Sequence, residues 1–371
     1  MSVEWMPLFV LPNIELKSAI GCDIAALVPA NDHRIAALKR THPMFKRFLN
    51  RFADNFGQKF EPAVLIRATT APSKFREVGA PASFRDLVAL SVITHGRALE
   101  LVRPRRDRVR FGETFAIYPW MLDRNYEDLI GKTPAILGIH MVSSFKGQSS
   151  PALARTPVGR RDIDQPLFDA LMARWLRHYE AEQPEWADVA LMRSLNMAYQ
   201  ASLMPGGTDT TFYDVGRVVA LWVSAFEILV HPGGEGRANR DKVFDLIEQT
   251  PWAIQDSGKP AYDTGSKNKV KRTLASWLYQ KLYDCRIDFL HGNPVKHSTL
   301  FFDSSPHSII QYAAPLYRIA LTAFLPLTCD RPKPSVGDTD YYGAYLANRL
   351  EFREPQKNAE KALLTAQPPS D

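Results

Sequence analysis

Cysteine is scarce in this chain and poorly spaced for chemistry. Cys22, Cys285 and Cys329 are odd in number and far apart, and no C-x-x-C is present. That argues against a disulfide framework and a thiolate zinc site, and it fits a reducing, cytoplasmic setting. No run of about 18 apolar residues occurs, so a membrane-spanning helix is not expected. The longest apolar stretch, Val218 to Val230, contains Ser224 and Glu227 and reads as a buried core helix. Met1 to Pro12 lacks the charged start, apolar stretch and small-residue cleavage site of a signal peptide. Neither G-x-S-x-G nor H-E-x-x-H appears, which leaves no nucleophile elbow and no zinc-protease helix. Gly131-Lys132-Thr133 has the end of a P-loop, but Tyr126 stands where the first glycine must be. The phosphate cradle is then not made, and nucleotide hydrolysis is not expected. His231, His297 and His307 lack ligand-like spacing and read as loop histidines. No metal and no cofactor is expected.

What is present is an ordinary globular composition, 45% hydrophobic and 23% charged over 371 residues, enough for two domains with cores of their own. The formal charge of +6 tolerates a polyanionic partner without demanding one. Residues 1–145 mix short apolar runs with helical patterns. Pro7–Leu11, Ala63–Ile66, Ala98–Val102, Phe115–Tyr118 and Ala135–Ile139 are strand candidates by length and flanking breakers. Phe45, Phe48, Leu49, Phe52 and Phe56 recur at helical spacing, and Phe84, Leu87, Val88 and Val92 do so less regularly. This predicts an N-terminal α+β domain. Residues 146–164, rich in Ser, Gly, Pro and Arg, read as a linker.

Residues 165–330 read as helical, so the chain as a whole is expected to be mainly α. Leu167, Leu171, Trp175 and Tyr179 form one stripe, and Val189, Met192, Leu195 and Tyr199 another. A long helix is expected over Asp209–Val230, stopped by His231-Pro232-Gly233-Gly234, and a short one around Val243, Phe244 and Ile247. The next carries Val270, Leu274, Trp277, Leu278, Leu282, Cys285 and Phe289 on one side and ends at Gly292 and Pro294. A last apolar helix follows over Ser308–Leu327. Residues 331–371 read as a linker and a disordered tail, charged and ending in prolines.

The chemistry concentrates at the end of the helix before Gly292. Arg286 supplies a fixed planar cation that matches phosphate oxygens, and His291 a group that moves protons near neutral pH. Together they can handle a phosphodiester without a metal. On an ideal helix two residues five apart diverge by about 140° and rise about 7.5 Å, so they share a site only if the last turn unwinds or a second copy completes it. Asp288, three before His291, can orient the imidazole. Glu227, inside an otherwise apolar helix, needs a cation, for which Arg286 is a candidate. The same residues also fit a structural role: Arg286 paired with Glu227 or Asp288, and His291 capping its helix. By contrast Arg174 and His178 read as a solvated surface pair. Lys267, Lys269, Lys271 and Arg272 open the helix and could guide RNA. The basic run Arg103–Arg110 reads as a phosphate-contacting loop or a solvated hairpin tip.

Tyr283, Arg286, His291 and Gly292, with the upstream Asp214-Val215-Gly216-Arg217 and Trp222 to Leu229, resemble the HEPN superfamily, nearest its Apea-like branch. The resemblance covers about residues 208–327. Its second long helix ends Y-x-x-R-x-x-x-x-H-G, and Glu227 matches the carboxylate of the first. It implies a helical bundle that usually dimerises. Active members are metal-independent endoribonucleases, often in phage defence or toxin systems; other members are non-catalytic modules that bind nucleic acid, nucleotide or protein. Active members commonly carry a polar residue after the arginine, where this chain has Ile287. The resemblance therefore implies Arg286 and His291 as catalytic groups, Glu227, Asp288 and Tyr283 in support, RNA as partner, a homodimer, and an N-terminal domain or a regulatory protein as control.

Overall fold

The computed structural model describes residues 4–53, 56–103, 111–119, 156–203, 211–265, 270–302, 305–327 and 354–366. It is mainly helical with a small antiparallel sheet near the N-terminus. The chain forms two compact units, residues 1–85 with 113–161, and residues 86–112 with 162–371. The chain passes from the first unit to the second twice, after residue 85 and after residue 161.

In the first unit, β1 (Trp5–Leu11), β2 (Ile20–Gly21), β3 (Ala25–Val28), β4 (Ala63–Ala68) and β5 (Tyr118–Pro119) form one sheet in the order β2-β3-β4-β1-β5. β1 pairs antiparallel with β4 from Trp5↔Ala68 to Leu11↔Ala63, with a register shift between Pro7 and Phe9. Pro7 has no N–H to give to the ladder, which suits a bulge. Helices α1 (His33–Thr41) and α2 (Pro43–Leu49) follow β3. Asp32 caps α1 by accepting from the Arg34 N–H at 2.9 Å, and Pro43 opens α2, where a missing N–H costs nothing. Ile35, Leu38, Phe45, Phe48 and Phe52 pack with Val10, Val28, Val64 and Ile66 in one apolar cluster. The helical phenylalanine spacing thus serves that core, except for Phe56, which is 90% exposed.

Two expected strands are corrected. Ala98–Val102 is the last turn of α3 (Gly79–Val102). Leu87, Leu90, Ser91, Thr94, Ala98 and Leu101 are all buried along that helix, a period that a five-residue window hides. Over Phe115–Tyr118, Gly112–Phe115 is a 3-10 turn and only Tyr118–Pro119 pairs in the sheet. The Ala135–Ile139 candidate and Gly131-Lys132-Thr133 lie outside the described residues, as does the basic run beyond Arg103.

The second unit holds α4 (Gln165–Glu180), α5 (Trp186–Ala201), α6 (Asp214–Leu229), α7 (Arg240–Glu248), the hairpin β6 (Tyr262–Asp263) and β7 (Lys271–Arg272), α8 (Leu274–Leu290), α9 (Ile309–Phe324) and α10 (Glu354–Leu364). Four of these helices have a local reason to start. Asp164, Asn239 and Thr273 accept from backbone N–H groups of α4, α7 and α8, and Ser308 forms a capping box with Gln311 at α9. The Leu167–Tyr179 stripe is buried. Ser194 on α5 bonds the Ala225 carbonyl and the Tyr317 hydroxyl, both at 2.6 Å, tying α5, α6 and α9 at one point. Arg174 and His178 are not a solvated pair: Arg174 and Arg177 both reach the wholly buried Asp188 on α5, and the His178 ring meets Tyr179 edge-on at 4.6 Å.

The tail is a second correction. Residues 354–364 are helix, with Gln356, Asn358, Ala359, Glu360, Ala362 and Leu363 buried. Its polar residues, which look solvated in the sequence, are partners. Glu360 accepts from the backbone N–H of Ala253 and Ile254 at 2.8 and 2.7 Å. Gln356 accepts from Arg318 and donates to Glu360. Arg318, 1% exposed, also donates to Asp164 at 2.9 Å and to Thr322 at 2.8 Å. Replacing Arg318 with Met leaves Asp164 buried and unpaired, and is expected to cost about 3–5 kcal/mol. Urea unfolding followed by circular dichroism reads this as a lower midpoint; an unchanged midpoint would remove the network from the account of stability.

Candidate functional site

α6 and α8 run antiparallel, because Phe226 meets Tyr279 at 5.1 Å at one end while Phe289 lies against Gly216 at the other. Gly216 is required there: a Cβ would sit 2.9 Å from the Phe289 Cβ and Cδ1 atoms. Side chains on a helix tilt toward its N-terminus. Arg286 accordingly runs back over Tyr283, with its guanidinium carbon 5.9 Å from that ring centroid. It reaches Glu227, and one nitrogen, Nη1, donates to both carboxylate oxygens at 3.3 Å. The side chains are 28% and 22% exposed, respectively. The contact is single-ended. Arg286 Nε and Nη2 have no partner among the described residues, so one edge of the planar fork remains open to a bidentate acceptor.

His291 occupies a different place. α8 stays helical through Leu290, and the His291 N–H closes the helix on the Ile287 carbonyl at 2.9 Å. Gly292 follows at φ +73°, the left-handed stop that glycine adopts without strain. The imidazole is exposed and has no partner among the described residues. The turn does not unwind, and Arg286 leans away from the helix end. Within one chain the two groups are not brought together.

The supporting residues divide. Glu227 and Tyr283 contact Arg286 as described. Asp288 does not orient His291: its Oδ1 accepts from Asn293 Nδ2 at 2.9 Å. Of the expected RNA-guiding residues, Arg272 is already engaged by carboxylates. Arg272 Nη1 is held by Glu248 at 2.7 Å and Asp245 at 3.3 Å, and its guanidinium lies over Phe244. Lys271 is exposed on β7, and Lys267 and Lys269 lie outside the described residues. The start of α8 is about 24 Å from its end at 1.5 Å per residue, so Lys271 and Arg272, just before that start, sit at the far end from His291. Among the described residues no group of His, Cys, Asp and Glu could hold a metal, and no helix is long and apolar enough to cross a membrane. Comparison with protein-family models finds no match, and comparisons with curated proteins and with solved structures find none either.

One cluster had no sequence signal of its own. His297, read as a loop histidine, stacks on Phe301 at 4.9 Å and approaches Phe212 at 6.4 Å. Phe212 in turn meets Phe289 at 5.3 Å. These rings gather where α8 ends and α6 begins; Phe289 comes from α8 itself, and the others come from the flanking segments, which periodicity does not describe.

Burial raises the Glu227 carboxyl pKa above its ordinary value, and the Arg286 charge only partly offsets this. The fold therefore favours the protonated group: its contribution is present below the ordinary carboxylate pKa and lost as pH rises through the raised value. Glu227→Gln keeps an acceptor for Arg286 and removes the buried charge. It is expected to melt at or above the wild-type temperature at pH 8 and to lose that advantage below about pH 4. A lower melting temperature at pH 8 would show that the ion pair outweighs the burial.

Proposed function

We propose that the helical unit acts on RNA as a metal-independent endoribonuclease of HEPN type. The observation that carries this reading is the open Nε–Nη2 edge of Arg286, five residues before an exposed, unpartnered His291. The RNA 2′-OH attacks the adjacent phosphorus, forming the O2′–P bond as the P–O5′ bond breaks. The 2′-hydroxyl proton passes to a base and the departing O5′ takes one from an acid; His291 serves in one of these roles. Arg286 neutralises the charge that builds on the non-bridging oxygens. The products are a 2′,3′-cyclic phosphate and a 5′-hydroxyl, and DNA, which lacks the nucleophile, survives. Because the two side chains diverge within one chain, the complete site takes its second group from another copy. The resemblance to the Apea-like branch supports a role in phage defence or a toxin-like stress response, with the N-terminal unit or a partner protein restraining the nuclease.

A second reading is favoured by one observation. Glu227 already engages Arg286, as in a non-catalytic module that binds nucleic acid, nucleotide or protein. The two readings part in one experiment: wild type, Arg286→Ala and His291→Ala on mixed RNA with EDTA, with product ends mapped. Cleavage by wild type alone, at least about 100-fold above either variant, with cyclic phosphate and 5′-hydroxyl ends, is the expected result. No cleavage by folded wild type at any concentration that supports a dimer leaves the binding module.

A further inference from the structure

Arg67, in the N-terminal unit, is a buried cation without a counter-ion. It stands on β4, 8% exposed, paired with Met6 on β1 and Ala25 on β3. Its Nη1 donates to the Phe75 carbonyl at 3.3 Å. The Nε–Nη2 edge, which grips an oxyanion with two parallel bonds, meets no oxygen. Nε is buried and has no partner. Nη2 is covered by the Met6 thioether, a weak acceptor. We infer that this edge, with Arg76 beside it, is a binding site for a dianionic phosphoryl group, and that Met6 gives way to admit it. The inference does not rest on the RNA reading.

Charge selects the ligand. Burial lowers the Arg67 pKa below its ordinary value, and the Arg76 charge lowers it further. Among the described residues no carboxylate acts against these two effects. Glu4, Asp23 and Glu77 flank β1, β3 and the turn that carries Arg76, and none of them forms an ion pair with either arginine. Arg76 is exposed and donates to the Thr69 carbonyl at 3.4 Å. Two fixed cations therefore share one neighbourhood with only carbonyls and a sulfur as acceptors. A buried charge in that position is expensive, and the other buried arginine, Arg318, has Asp164. Two positive charges match a dianion better than a lone carboxylate, and the planar fork fits its oxygens. Access runs through Met6, which is 37% exposed and carries an unbranched, flexible side chain.

The test is isothermal titration calorimetry of the full chain with inorganic phosphate, in chloride buffer at constant ionic strength. Wild type is expected to bind phosphate, and Arg286→Ala should bind it at the same site. Arg67→Lys keeps the charge but not the fork, and should weaken binding by about 10- to 100-fold. Arg67→Met should abolish binding, yet melt at or above the wild-type temperature in phosphate-free buffer, because it removes an unpaired buried charge. Arg76→Ala should weaken binding by about 2- to 5-fold, and Met6→Ala, which clears the edge, should bind at least as tightly as wild type. Glycerol 3-phosphate as a second ligand separates two sources of the group. Tighter binding than phosphate makes it a phosphomonoester, and weaker binding makes it free phosphate. Wild type that binds no phosphate, or Arg67→Met that binds as wild type does, overturns the site. So does binding that is lost in Arg286→Ala and kept in Arg67→Met, which assigns the anion to the helical unit. Acetate that binds as tightly as phosphate overturns the choice of a dianion.

Discussion

A buried arginine organises the helical unit. Arg318 sits in the middle of α9, and its guanidinium is shared among Asp164, Thr322 and Gln356. Asp164 also caps α4 by accepting from Leu167, and its own N–H donates to the Ser91 carbonyl. Gln356 passes the network to Glu360, and Glu360 closes it on the backbone at 253 and 254. A buried charge left without such partners is expensive, while a fully satisfied network permits few alternative packings. The network thus ties the middle of α3, the start of α4, the middle of α9 and the first turn of α10 to the loop that leads toward α8. α6 and α8, which carry Glu227 and Arg286, both pack on α9.

The arginines of this unit differ in what they leave unused. Arg318 is enclosed on all sides. Arg177 spends Nε and Nη2 on the two oxygens of Asp188. Arg272 spends Nη1 on two carboxylates and lays its plane over Phe244. Arg286 commits one nitrogen to a long, shared contact and keeps an edge open. Glu227 therefore aims Arg286 without exhausting it.

The same end of the unit holds three features that make sense together. Gly216 allows Phe289 to lie flat against α6, which places the aromatic line beside the Arg286 helix. Gly292 ends α8 in one residue, which leaves the His291 ring in solvent. Asn293 then takes Asp288, so the imidazole is not tethered to its neighbour. Each is a local backbone or pairing event, and together they produce an exposed histidine, a half-open arginine and a row of rings within a few turns.

The helical stripes and their stops were legible in the chain because they are local, and the caps, though equally local, emerge with the structure. Leu167 to Tyr179 repeats at the helix period, and Asp164, Asn239, Thr273 and Ser308 stand one residue before the helices they start. The Glu227–Arg286 pair was legible for another reason: a carboxylate in an apolar helix needs a cation, and few were near. What the sequence could not decide was the spending of charge over long separations. Arg318 finds Asp164 from 154 residues away, and Glu360 finds Ala253 from 107. A polar tail therefore read as disorder, and Arg272 read as available. Only the tertiary structure shows which donors and acceptors have already been used, because a partner is chosen by proximity in space and a single sequence records only proximity along the chain.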